Sequence, residues 1–169
     1  EIYTLSLHDA LPISSLSVLA LESVAQALVL DAVMVFGLGL HVAHPAQFVG
    51  LSIVTSLTFM SIVALLAIAL DNVGRFLAML LLVLQLGSAE GVFPISLSPA
   101  LFQAINPFVP MTYSIRAFRE AISGGLGQDM FWQSVVVLMM FLVAANILLI
   151  IFLYCHGMKH FKHEATQAS

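Results

Sequence analysis

LQLGSAEGVFPISLSPALFQAINPFVPMTYSIRAFREAISGG, residues 84–125, is neither apolar enough to span a bilayer nor polar enough to be an ordinary soluble loop, and it lies between two long apolar runs. It carries Pro94, Pro99, Pro107 and Pro110, which remove backbone donors and break helices. It also carries Phe93, Phe102, Phe108, Tyr113 and Phe118, and aromatic side chains, Tyr especially, suit the boundary between lipid and water. The stretch therefore reads as short broken helices packed at a membrane surface between two spans. Ser98-Pro99 offers an N-cap and a proline at the first helical position for a helix over 100–105, which Asn106-Pro107 ends. Thr112 is expected to cap a second helix through Ile122, with Gly124-Gly125 as its stop. In that helix Ile115, Phe118 and Ile122 share one face, and Arg116, Arg119 and Glu120 flank it, with Glu120 placed to share the arginines' charge. Together with Tyr113 they form a candidate amphipathic interfacial helix. The bland alternative is a plain connector between spans.

Composition sets the class. Hydrophobic residues make up 61% of the 169 and charged residues 8%, against about 25% charged in a soluble domain. The chain is an integral membrane protein by this measure, with the lipid bilayer as its first partner. Its net charge of −4 leaves no basic footprint for nucleic acid. A helix needs about 20 apolar residues to cross a bilayer core, and four runs approach this: 16–40, 48–70, the shorter 73–86, and 131–154. No run shows sustained period-2 alternation, so membrane strands are not expected. The expected fold is all-α: a polytopic bundle of four transmembrane helices, with broken interfacial helices between the third and fourth. Arg75 in the loop after the second run, with Lys159 and Lys162 in the tail, places those segments and the C-terminus in the cytoplasm by the positive-inside rule. Residues 84–125, with Arg116 and Arg119, then lie outside.

Residues 1–14, EIYTLSLHDALPIS, back-translate to the sequence of a common sequencing-library adapter. They are expected to be a non-native segment and are set aside from fold reasoning. The transmembrane domain is read over 15–162 as a fragment of a longer chain, and 163–169 as a cytoplasmic tail.

Asp31 is the sharpest single position. It falls near the middle of the first run, where an acidic side chain costs ~2.5–3.5 kcal/mol on insertion scales, so it must be protonated, hydrogen-bonded or facing water. Ser52, Thr55 and Ser56 form a polar patch on the second run that can satisfy it. Two readings stand: a polar translocation path or proton-linked site, and an inter-helix hydrogen bond that locks packing. Glu22 lies nine residues before Asp31, about 180° around the helix, so the two carboxylates do not converge; Glu22 and Gln26, at i and i+4, are expected near the cytoplasmic interface. His156 and His160 share a helical face, and His163 follows. No carboxylate or thiolate completes a metal set with them, and they read with Lys159 and Lys162 as a basic tail on anionic headgroups. Gly37, Gly39 and Ala144-Ala145 allow close helix approach, and Asn146 and Gln85 are expected to bond across helices. The single Cys155 cannot form an internal disulfide. No phosphate-binding glycine-lysine loop, Ser/His/Asp arrangement or zinc-protease spacing is present, so neither ATP hydrolysis nor covalent catalysis is expected of this chain, and no cofactor.

Two stretches, NVGRFLAMLLLVLQLGSAEGVFP (72–94) and INPFVPMTYSIRAFREAISGG (105–125), resemble the C-terminal membrane region of the YhgE/Pip (phage infection protein) family. GVFP departs slightly from that family's GGTFP-like wording. The resemblance extends over nearly all of 15–162. It implies a first span, a large extracellular domain, then five spans similar to an ABC-2-type export permease, of which the four runs are the last four. It also implies a Gram-positive cell membrane, a homodimer or hetero-oligomer, and a separate nucleotide-binding ATPase subunit if transport is ATP-driven. The alternative is a non-transporting membrane anchor that displays an extracellular domain for phage adsorption or secretion.

Overall fold

The computed structural model describes the backbone of residues 2–89, 95–125 and 127–167, and the side chains of those between 16 and 154. Among the described residues every regular element is helical. Helix α1 is Ile2–Ala32, followed by a π-helical turn, Val33–Gly37. Helix α2 is Pro45–Ser88, α3 is Ala100–Ile105, α4 is Pro110–Ser123 and α5 is Gln128–Gln167. Short 3-10 turns at Ile95–Leu97 and Asn106–Phe108 flank α3. Among the described residues, three segments are long and apolar enough to cross a membrane: Leu16–Gly37, Pro45–Ser88 and Gln128–Tyr154. The second and third apolar runs of the sequence both lie within Pro45–Ser88, on either side of a non-helical residue, Asp71. The adapter-like side chains of 1–14, the segment Glu90 to Pro94 with its GVFP wording, and the side chains of His156, Lys159, His160, Lys162 and His163 lie outside the described residues.

Helix α2 is not straight. Asp71 has φ 48° and ψ −121°, a left-handed conformation that a side chain resists and glycine accepts. Three residues on, Gly74 is buried, and a Cβ on it would fall 1.8 Å from the Leu66 carbonyl oxygen. In a straight helix these two residues are about 12 Å apart along the axis. Backbone contact between them means the chain turns back on itself. The ends of α2 agree. The His44 N–H donates to the Ala121 carbonyl at one end of α4, and the Ser88 carbonyl accepts from Asn106 Nδ2 just before the other. Helix α4, with 14 residues, is about 21 Å long, whereas a straight 44-residue helix would part its own ends by about 66 Å. Helix α2 is therefore two arms, 45–70 and 72–88, joined at Asp71.

Helix α4 lies within the bundle. Its fully buried Ala117 and Ala121 let it approach Phe48 and Leu51 of α2 and Phe131 and Leu138 of α5. Phe118 meets Phe48 edge to face at 5.5 Å. The Ala43 and His44 N–H groups satisfy the last carbonyls of α4, at Ile122 and Ala121, a requirement of any helix end shielded from water. Gly124 ends the helix in the left-handed conformation, φ 65°, as its sequence implied. Four local expectations need correction. Thr112 does not cap α4: Val109 does, in extended conformation, and proline opens the helix. Pro99, not Ser98, occupies the N-cap of α3 and supplies no side-chain bond. Glu120 does not lie on an outer flank; it is 2% exposed, and its Oε2 accepts the Gly127 N–H at 3.1 Å, tying α4 to the start of α5. Gly37 and Gly39 do not serve close helix approach, since added methyl groups there would meet only ordinary contact or open space. The close approaches are at Gly74 and at Gly87, where a Cβ would come within 2.9 Å of the Phe102 ring.

Gly74→Ala should cost about 3 kcal/mol, the upper range for overpacking, because the obstruction is backbone. Asp71→Gly should instead stabilise by about 1 kcal/mol through relief of the left-handed strain. Apparent Tm values of the two variants in detergent should move in opposite directions; a Gly74→Ala protein that melts with the wild type would contradict the folded-back helix.

Candidate functional site

Asp31 sits in the last turn of α1, just before the π-helical turn, and is 6% exposed. The Ser52 hydroxyl donates to its Oδ1 at 2.7 Å. Its Oδ2 is fully enclosed and has no partner, and the same is true of Thr55 Oγ1, one turn from Ser52 on α2. Of the four residues the sequence groups together, only Asp31 and Ser52 are hydrogen-bonded to each other. Ser56 donates elsewhere, to the Ser23 carbonyl at 2.8 Å. Asp31 pairs with residue 52 and Ser23 with residue 56, so α1 and the first arm of α2 run antiparallel. Ser23 was not singled out from sequence, yet the signal is there: Ser23, Ala27 and Asp31, spaced by four, are the buried stripe of α1, a small-and-polar face in an otherwise aliphatic helix. Gln26 Nε2 donates to Glu22 Oε1 at 3.1 Å on the exposed side.

A second polar contact joins α5 to α2. Asn146 Nδ2 donates to Ser61 Oγ at 3.0 Å and to its own helix at the Leu142 carbonyl, 2.8 Å. This is the cross-helix bond its position in lipid calls for. The pair lines a cavity of about 250 Å³ between α1, α2 and α5, whose other walls include Leu16, Leu57 and Leu149.

The third polar group sits where α2 ends and α4 begins. Asn106 Nδ2 donates to the Ser88 carbonyl and to Thr112 Oγ1, and the Thr112 hydroxyl donates back to the Asn106 carbonyl at 2.7 Å. Arg116 approaches Asn106 Oδ1 at 3.5 Å, and the Tyr113 hydroxyl donates to the Pro107 carbonyl at 2.9 Å. Broken backbone shielded from water needs such partners. Gln85 is 1% exposed, and its Oε1 has no hydrogen-bond partner. Of the proposed interfacial side chains, Phe118 packs inward on Phe48, Glu120 is buried, and Arg119 is exposed. Among the described residues no group of three or more His, Cys, Asp or Glu side chains is placed to hold a metal ion.

The chain is 43% identical over 112 residues to YhgE of Bacillus subtilis (strain 168), a protein described as uncharacterized. The match takes in 66% of this chain and 14% of that protein, so the chain spans a small part of the relative's length. No family model matches, and no solved structure matches. The similarity supports a YhgE-like relationship, and together with three helices of membrane-crossing length it marks a membrane protein.

A double-mutant cycle of Asp31→Ala with Ser52→Ala, read by reversible unfolding in mixed micelles, should give a coupling of about 1 kcal/mol, within the range for hydrogen bonds between membrane helices. Asp31→Ala with Ser56→Ala should give coupling near zero, because Ser56 bonds to the Ser23 backbone. Equal coupling in both cycles would show that the patch acts as one unit.

Proposed function

We propose that this chain is the membrane-embedded, C-terminal part of a YhgE-like permease of the ABC-2 type, moving a substrate outward across a bacterial cell membrane by alternating access. The observation that carries the reading is the folding of α2 about Asp71. Its two arms are then the second and third of four crossings, with α1 the first and α5 the fourth. Helices α3 and α4 form the broken segment near the outer surface, before the last crossing. Arg75 at the hairpin and the basic tail are cytoplasmic in this arrangement, as the positive-inside rule favours. The permease works as a homodimer or hetero-oligomer and draws its energy from a separate nucleotide-binding subunit. Asp31, Ser52 and Thr55 contribute polar groups to the path that opens between α1 and α2.

A second reading has its own support. The Ser56–Ser23 and Asn146–Ser61 contacts close neighbouring helices on one another, which suits a static anchor for an extracellular domain serving phage adsorption or secretion.

Export assays on the full-length protein with its nucleotide-binding subunit separate the two. Asp31→Leu, at wild-type surface accumulation, should lower ATP-dependent export at least about tenfold, or about 1.4 kcal/mol. Unchanged export with the variant would remove Asp31 from the path. No nucleotide-dependent export by the wild type with any neighbouring subunit would favour the anchor.

A further inference from the structure

We propose that the Asp31 carboxyl is an exchangeable proton-binding site inside the membrane, with the proton carried on Oδ2. The inference holds for a permease and for an anchor alike. Its ground is an imbalance of donors and acceptors. An ionised carboxylate offers only acceptors. One oxygen of Asp31 receives the Ser52 hydroxyl proton, while the other is enclosed and receives nothing. Thr55 Oγ1, a turn away on the facing helix, is a second enclosed oxygen with no partner. An enclosed carboxylate oxygen that receives no donor is uncompensated as an anion, whereas a hydrogen on Oδ2 makes the group neutral and a donor to a neighbouring oxygen.

No other charge balances the carboxylate. Ser52 is the partner of Asp31 among the described residues. On α1, Glu22 lies more than two turns away and bonds to Gln26. In the loop that follows, His41 Nδ1 meets the Gly39 carbonyl, and His44 opens α2 with its backbone on α4. At the level of Asp31, α2 presents Ser52, with Thr55 and Ser56 in the next turn; its own titratable groups, Asp71 and Arg75, lie at the hairpin, about 24 Å along the helix from Thr55. On α4, Arg116 turns to Asn106 and Glu120 to Gly127, while Arg119 is exposed; on α5, Asp129 is in the first turn. An isolated negative charge in such surroundings is unfavourable, and a neutral carboxylic acid is not. A bound metal cation would need a shell of oxygens, and the region offers one hydroxyl already engaged and one free.

Exchange requires an opening, and the backbone provides a place for it. The π-helical turn Val33–Gly37 begins two residues after Asp31. Such turns are single-turn departures from the regular hydrogen-bond ladder and are frequent at functional sites. Loss of the proton would leave a hydrated carboxylate, which the α1–α2 contact cannot enclose. Protonation therefore couples to the closure of α1 on α2.

The test uses the chain in lipid nanodiscs, treated with dicyclohexylcarbodiimide, a lipid-soluble reagent that reacts with protonated carboxyl groups, and mapped by peptide mass spectrometry. Asp31 should be modified in acidic buffer and protected in alkaline buffer. Infrared pH-difference spectra, which do not depend on reagent access, should show a protonated-carboxyl band in the wild type that is missing from Asp31→Asn, a variant of the same shape. A band that persists in Asp31→Asn, or modification of Asp31 that is independent of pH, overturns the proposal. So does protection of Asp31 by sodium at constant pH, which would assign the site to a cation.

Discussion

The contact between the Leu66 carbonyl and the Gly74 backbone is the constraint on which the rest of the bundle depends. Without it, Pro45–Ser88 would be one rod about 66 Å long, twice the thickness of a bilayer core. With it, both ends of that segment meet α4. The first arm then faces α1 through Ser52 and Ser56, and α5 through Ser61; the second arm delivers Ser88 to Asn106. The strain accepted at Asp71 and the absence of a side chain at Gly74 are the local features that permit so tight a reversal.

A second constraint follows from lipid as solvent. Unsatisfied backbone groups are unfavourable there, so broken helices persist only where neighbours supply partners. The stretch from Ser98 to Ser123 meets this requirement. Asn106 and Thr112 satisfy each other and the end of α2, while residues 43–44 satisfy the end of α4. Alanines at 117 and 121 then bring α4 close enough to α2 and α5 for those bonds to form. Large exposed aliphatics such as Leu21, Val29, Met79 and Met140 need no protein partner, because lipid solvates them.

The polar groups inside the apolar region divide by whether their hydrogen-bonding capacity is filled. Ser56, Ser61 and Asn146 hold helices together, each donating to or accepting from a neighbouring helix. Asp31 Oδ2 and Thr55 Oγ1, by contrast, are enclosed without a hydrogen-bond partner.

The sequence by itself determined the class, the apolar runs, the helix at 100–105 and the stop at Gly124, because each depends on local composition, proline or glycine. It also grouped Asp31 with a patch of Ser52, Thr55 and Ser56, and marked Asn146 for a cross-helix bond, since polar side chains in apolar runs have few alternatives. Only the tertiary structure decided that Ser56 turns to Ser23, that Gln85 Oε1 stays without a partner, and that Glu120 lies inside the bundle. The relative rotation and register of packed helices select among equivalent partners, and no single helix encodes that rotation. The same holds for Gly74: in the sequence it is one small residue among many, and its role appears only when the chain folds back and brings Leu66 against it.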